Sequence, residues 1–159
     1  MSEAEERKGA AVRFPPPFVP LIGLVVGLGL DWIVWPLPNP VDGSERFAIG
    51  GAALAGGIAL LLIAAGLFRE TGQDPKPWKE SPELIATGIY RWTRNPMYLS
   101  MGLLQAAIGL LCSSLWVVAL VPVSLAVIYR IAIRHEEAYL EEKFGTPYLE
   151  YKRSVRRWL

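Results

Sequence analysis

Four apolar runs, at 18–35, 47–68, 97–112 and 115–133, are what most limits the folds open to this chain. Each is close to the length that crosses a bilayer's hydrocarbon as a helix, and only helices and closed barrels do so without stranding backbone hydrogen-bonding groups. Apolar residues make up 52% of the 159, more than an ordinary small soluble core uses. The expected fold is all-α: a polytopic membrane protein of about four transmembrane helices in a single domain over 1–159, with a helical C-terminal extension. The first run follows a charged start, Glu3 to Lys8, and the break Pro15-Pro16-Pro17. That pattern is unlike a cleaved signal, so the run is read as a retained membrane helix.

Local chemistry sets the boundaries. Residues 1–13 read as a solvated tail, and Trp32 and Trp35 as interfacial anchors at the far end of the first span. Pro36, Pro38, Pro40 and the Asp42-Gly43 pair reverse the chain. Gly50, Gly51, Gly56 and Gly57 in the second span let a neighbouring helix approach closely. The stretch 69–81 is polar and proline-broken, hence a loop, and Thr87-Gly88 adds a turn. Asn95-Pro96 is a helix start, with Asn as N-cap and Pro at the first helical position. Cys112-Ser113-Ser114 joins the last two spans in a tight hairpin, and Pro122 should kink the fourth. Beyond Arg130 that helix continues with charged residues up to the Phe144-Gly145 cap. Tyr148, Tyr151 and Trp158 lie among Lys152, Arg153, Arg156 and Arg157, a mixture suited to an anionic membrane surface.

Charge and cysteine content exclude several function classes. A net charge of +1 gives no basic field for nucleic acid. Cys112 is the sole cysteine and His135 the sole histidine, which rules out an internal disulfide and a Cys/His metal cluster. Of the sixteen Lys and Arg residues, only Arg46 falls on the far side of a four-span arrangement. The positive-inside rule then places both termini, and the loop between spans two and three, in the cytoplasm of a bacterial-type inner membrane.

The polar, aromatic segment LIATGIYRWTRNPMY at 84–98 interrupts the apolar pattern at that cytoplasmic edge, where charges are costly unless partnered or used. It shares its side of the membrane with 130–151. Together they offer cations (Arg91, Arg94, Arg130, Arg134), carboxylates (Glu83, Glu136, Glu137) and aromatic faces (Tyr90, Trp92, Tyr98). Such a set suits a zwitterionic, partly cationic ligand, with the helix N-terminus at Pro96 available to a carboxylate. Arg94, Arg130 and Arg134 are the candidates for positioning substrate charge. Arg134 and Glu137, three apart on a helix, also suit a plain surface pair.

The 84–98 segment, followed by a membrane hairpin and then Glu136-Glu137, Leu140, Phe144-Gly145, Tyr148 and Tyr151, resembles the isoprenylcysteine carboxyl methyltransferase and phospholipid methyltransferase group of integral membrane enzymes. The resemblance covers roughly the second half of the chain. It implies an S-adenosylmethionine-dependent methyltransferase acting on a lipid or lipid-modified acceptor, most like carboxyl O-methylation of a prenylated cysteine-type substrate. N-methylation of an aminophospholipid and a non-catalytic ligand-binding role are the alternatives, and homo-oligomers are compatible with it. By position, Glu83, Leu84 and Ile85 would lie along the cofactor, with Tyr90, Asn95, Pro96, Met97, Tyr98 and either Glu136 or Glu137 completing the pocket. Many family members carry His where this chain has Asn95, and an amide cannot act as a base near neutral pH.

Overall fold

The computed structural model describes residues 9–41 and 43–159, so Asp42 and residues 1–8 of the expected tail lie outside the described residues. Helix α1 runs Phe18–Ile33 and α2 Gly43–Glu70. A loop carrying the 3₁₀ turn Gly88–Arg91 leads to α3, Pro96–Leu111. Then come α4 (Leu115–Ala119), α5 (Val121–Ile128), a π-helical segment Tyr129–Ile133, α6 (Arg134–Phe144) and α7 (Thr146–Ser154). No strand occurs among the described residues.

Two helices are long and apolar enough to cross a bilayer: α2, with 28 residues, and the 30-residue helical run Leu115–Phe144 formed by α4 through α6, whose last part, from Arg134, is charged and extends past the apolar 115–133. Helices α1 and α3 are apolar but have 16 residues each, about 24 Å at the α-helical rise and short of the full hydrocarbon thickness. Breakers limit both. α1 starts after the triple proline and ends ahead of Pro36, while α3 lies between Asn95-Pro96 and Ser113, whose φ is 58°. Val25, Trp32, Ile33 and Leu62 are exposed on the outer faces, an apolar surface that water penalises and lipid solvates. The fold is that of a helical membrane protein.

Packing relies on the absence of side chains at selected glycines. Along α2, Gly50 and Gly57 meet α3, and a Cβ on Gly57 would stand 2.8 Å from Leu104 Cδ2. Gly51 faces open space and Gly56 has only a loose neighbour, so half of the expected glycine stripe is used. Where α1 meets α4, a Cβ on Gly27 would lie 2.6 Å from Val117 Cγ2 and 2.7 Å from that residue's N and Cα. Backbone cannot step aside as a side chain can. We therefore expect Gly27→Ala to cost roughly 1–3 kcal/mol by forcing these helices apart; thermal unfolding in detergent measures it, and a wild-type midpoint would sink the packing account.

Leu120 interrupts the long helix between α4 and α5, immediately before Val121-Pro122, as the proline predicts. The α3–α4 connection is a tight turn: Ser114 caps α4 by accepting from Val117 N, and Cys112 is exposed beside it. At that end of the bundle the Trp116 indole donates to Trp35 O at 2.9 Å. Gly145, with φ 59°, ends α6 as expected.

Both chain ends differ from expectation. Ala10 and Val12 are buried, in one cluster with Val19, Tyr98, Ile128, Ala132 and Ile133, so residues 9–13 are not a solvated tail. Val12 N–H closes a three-residue turn onto Ala10 O at 2.8 Å, and Ala10 N–H donates to Pro77 O at 2.9 Å. At the other end, α7 buries Tyr148 and Tyr151 instead of resting them on a membrane surface.

Candidate functional site

A cavity of about 270 Å³ opens at the end of the bundle where α3 begins, opposite the Cys112 turn. Its lining includes Glu83, Leu84, Ile85, Tyr90, Arg94, Asn95, Pro96, Met97, Tyr98, Glu136 and Glu137. The two sequence blocks thus meet around one space. Arg130 and Arg134 do not join them: both are exposed and absent from the lining, as are Arg91 and Trp92. The reason is helical phase. Arg130 lies within the π-helical Tyr129–Ile133, whose wider turn takes it out of α-helical register with Glu137, and on α6 itself Arg134 stands two residues, about 200°, from Glu136. Glu136 and Glu137 face inward, while Arg130 and Arg134 face out.

Glu136 accepts a hydrogen bond from the Tyr98 hydroxyl. The residue is half-buried overall, but it sits beyond the spanning part of the helix with its carboxyl crowded by cavity-wall atoms. Burial pushes that carboxyl up to about 7, the Tyr98 hydrogen bond working against the rise and the neighbouring Glu137 adding to it. Because the folded pKa is raised, the stability effect runs opposite to that of a salt-bridged acid. Nothing is lost below about pH 4.5, where the group is protonated folded or unfolded, and roughly 3 kcal/mol is lost as pH rises to 7. Glu136→Gln keeps the acceptor for Tyr98 and removes the charge. Its melting temperature is expected to overtake wild type progressively between pH 5 and 7.5, whereas a pH-independent difference would contradict the buried-acid reading.

Glu137 plays a different part. Its Oε1 lies 3.3 Å from Arg94 Nη1 and 2.9 Å from Arg157 Nε, and its Oε2 accepts from Arg157 Nη2 at 3.0 Å. In place of the Arg134–Glu137 surface pair that the spacing also allowed, Glu137 joins a cluster linking α6 to the segment after α7. That segment is tied to the start of α3 through its backbone. Arg157 O accepts from Thr93 Oγ1 and Asn95 Nδ2, and Arg156 O accepts from Arg94 N. Asn95 does occupy the N-cap position of α3, but its side chain makes no cap hydrogen bond, so the helix's first amides keep their positive end uncapped. Arg94 Nε is buried without a hydrogen-bond partner. Tyr151 OH donates to Tyr90 O at 2.8 Å, and burial pushes the Tyr90, Tyr148 and Tyr151 hydroxyls up, keeping all three protonated.

The sequence reading missed the cavity's roof. Gln73, Asp74, Lys76, Pro77 and Trp78 from the expected loop line it, with Pro16 and Pro17. The roof is pinned by Ser81 N–H donating to Tyr139 OH and by the Lys143–Glu80 ion pair at 2.7 Å. Gln73 is 6% exposed, and its amide orientation follows from its neighbours. The Thr71 hydroxyl donates to Leu67 O or Phe68 O, so it accepts from Gln73 Nε2. That leaves Gln73 Oε1 as a buried acceptor with no partner, on a residue that lines the cavity. No local pattern around 71–74 announces this, because the acceptor matters only once the loop folds over α6.

Fold and cavity together define a helical membrane protein with a cavity at one end of its bundle. A family model described as phospholipid methyltransferase matches residues 46–147, and the chain belongs to that family. It is 43% identical over 84 residues to a protein-S-isoprenylcysteine O-methyltransferase of Saccharomyces cerevisiae, covering 50% of this chain and 34% of that protein. To the enzyme of the same name from Xenopus laevis it is 35% identical over 98 residues, covering 60% and 32%. An uncharacterized Haemophilus influenzae protein is 43% identical over 63 residues, 40% of this chain and all of that protein. The chain spans about a third of the length of the two named methyltransferases. No solved structure matches it.

Proposed function

We propose that the cavity binds S-adenosylmethionine and that the protein transfers its methyl group to a lipid-borne acceptor. What carries the reading is the convergence of the 83–98 and 136–151 segments on one cavity whose unsatisfied groups are of mixed character. Gln73 Oε1 and the Glu136 carboxylate accept hydrogen bonds, as an amine, an ammonium or ribose hydroxyls require. The uncapped start of α3 and Arg94 Nε suit a carboxylate. The ring faces of Tyr90 and Tyr98 tolerate a cationic centre. Glu136 and Glu137 differ in availability: two arginines occupy Glu137, so Glu136 is the carboxylate free for the ligand, and Glu83 stands at the rim segment beside Leu84 and Ile85.

When bound, the sulfonium supplies an already electrophilic methyl. The protein's share is alignment and exclusion of water. The 73–78 roof and the prolines at 16 and 17 cover the cavity, while Tyr98 holds Glu136 in one orientation. No residue has to abstract a proton if the acceptor is a carboxylate, which is ionised at neutral pH. That, with the names of the two partly aligned relatives, favours carboxyl O-methylation of a prenylated cysteine-type substrate over N-methylation of an aminophospholipid. The cavity would face the cytoplasm of an inner membrane, a reading the distribution of Lys and Arg supports.

Calorimetric titration of detergent-solubilised protein with S-adenosylmethionine tests the cofactor, and absence of binding would defeat the proposal. Incubation with labelled cofactor and separate prenylcysteine and phosphatidylethanolamine acceptors tests the chemistry. Label is expected as a base-labile ester on the former, and label confined to amine products would reverse the choice of acceptor.

A further inference from the structure

A second concavity, of about 350 Å³, lies on the outside of the bundle between α3 and α5. Leu99, Leu125 and Ala126 form its walls, at the depth of the apolar helices, and Tyr129, Arg157 and Trp158 stand at its head. The Arg157 guanidinium lies 4.8 Å over the Tyr129 ring. Around Glu137, two guanidinium groups meet one carboxylate, which leaves a surplus positive charge. Arg94 is 9% exposed and Arg157 34%, so the surplus is presented at the groove. No described residue lines both the groove and the cavity, and the Glu137–Arg157 pair joins a lining residue of one to a lining residue of the other.

The geometry points to a binding site for a bilayer phospholipid with an anionic headgroup: an acyl chain along Leu99, Leu125 and Ala126, and the phosphate against Arg157. Such a lipid is a resident and not a methyl acceptor. It neutralises the surplus charge of the cluster that joins α6, the start of α3 and the chain after α7. The match is chemical on both counts, since a hydrocarbon chain fills an apolar groove facing lipid, and a guanidinium pairs with phosphate.

The test uses the whole protein in nanodiscs containing either phosphatidylglycerol or phosphatidylcholine with brominated acyl chains, which quench nearby indoles. Emission from Trp158 is isolated as the difference between wild type and Trp158→Phe. Half-quenching by the phosphatidylglycerol form is expected at about one fifth of the mole fraction needed for phosphatidylcholine, the preference one basic residue confers near a membrane surface. Arg157→Gln should abolish the preference, Arg157→Lys should retain it, and Ala126→Phe, which fills the groove, should weaken quenching by both lipids. Equal mole fractions for the two lipids in wild type, or no quenching that depends on Trp158, would overturn the assignment. So would a preference that survives Arg157→Gln.

Discussion

Glu137→Ala is expected to destabilise the protein by about 3 kcal/mol, which makes it the most damaging single change at a polar residue. The size follows from what is left behind. With the carboxylate gone, Arg94 is a buried cation whose Nε already lacks a partner, and Arg157 loses both hydrogen bonds that fix its side chain. The chain after α7 would keep the hydrogen bonds that Thr93, Arg94 and Asn95 donate to the Arg156 and Arg157 carbonyls but lose its ionic tie to α6. Denaturant or thermal unfolding of the detergent-solubilised variant measures the loss. Adding Arg94→Met to Glu137→Ala should recover a good part of it, because the uncompensated charge is removed. If the single and double variants melt together, the cluster has no energetic unity.

Glu136→Gln should weaken S-adenosylmethionine binding by about 10- to 100-fold, the usual effect of taking the charge from one charge-assisted hydrogen bond. The isosteric amide still accepts from Tyr98, so the cavity keeps its shape. Tyr98→Ala removes the hydroxyl that orients Glu136 and should weaken binding similarly. Glu141→Gln serves as the comparison, since Glu141 pairs with Lys152 at 2.9 Å and does not line the cavity. Titration calorimetry on the three variants provides the ranking, and equal affinities would remove the site assignment. A telling combination is that Glu136→Gln should bind worse yet be more stable near pH 7. A residue kept for packing would lower both, whereas one kept for a ligand separates them.

How legible the fold was depended on the range of the interactions involved. Breakers and caps act locally, so Pro96, Pro122, the Ser113-Ser114 turn and Gly145 were readable from their own chemistry and lie where that chemistry puts them, whereas Asn95 holds the N-cap position but spends its side chain on Arg157 O. The two blocks around 84–98 and Glu136 were readable because each carries its polar groups in an apolar surrounding, and they line one cavity. Arg130 and Arg134 lie outside the cavity lining: nothing in Tyr-Arg-Ile-Ala-Ile marks the π-helical turn that carries Arg130, and Arg134 falls on the face of α6 opposite Glu136. Thr93 and Arg157 were missed for another reason: their partners lie after α7 and on α6, and only tertiary folding gives these ordinary polar residues a task, while Gln73 bonds locally to Thr71 and gains its cavity position only from the fold. The burial of Ala10 and Val12 is likewise a tertiary result, since two small apolar residues in a charged segment carry no local signal.

The exposed thiol at the α3–α4 turn has a practical corollary. Cys112 is the chain's only cysteine, and the length of α3 separates it from the cavity. It is a native reporter of sidedness that requires no engineering. In intact cells of a bacterial expression host, a membrane-impermeant maleimide added from outside is expected to tag this position if the cavity faces inward. Protection until the cells are lysed would mean that the bundle sits the other way up, and that its ligand arrives from the opposite compartment.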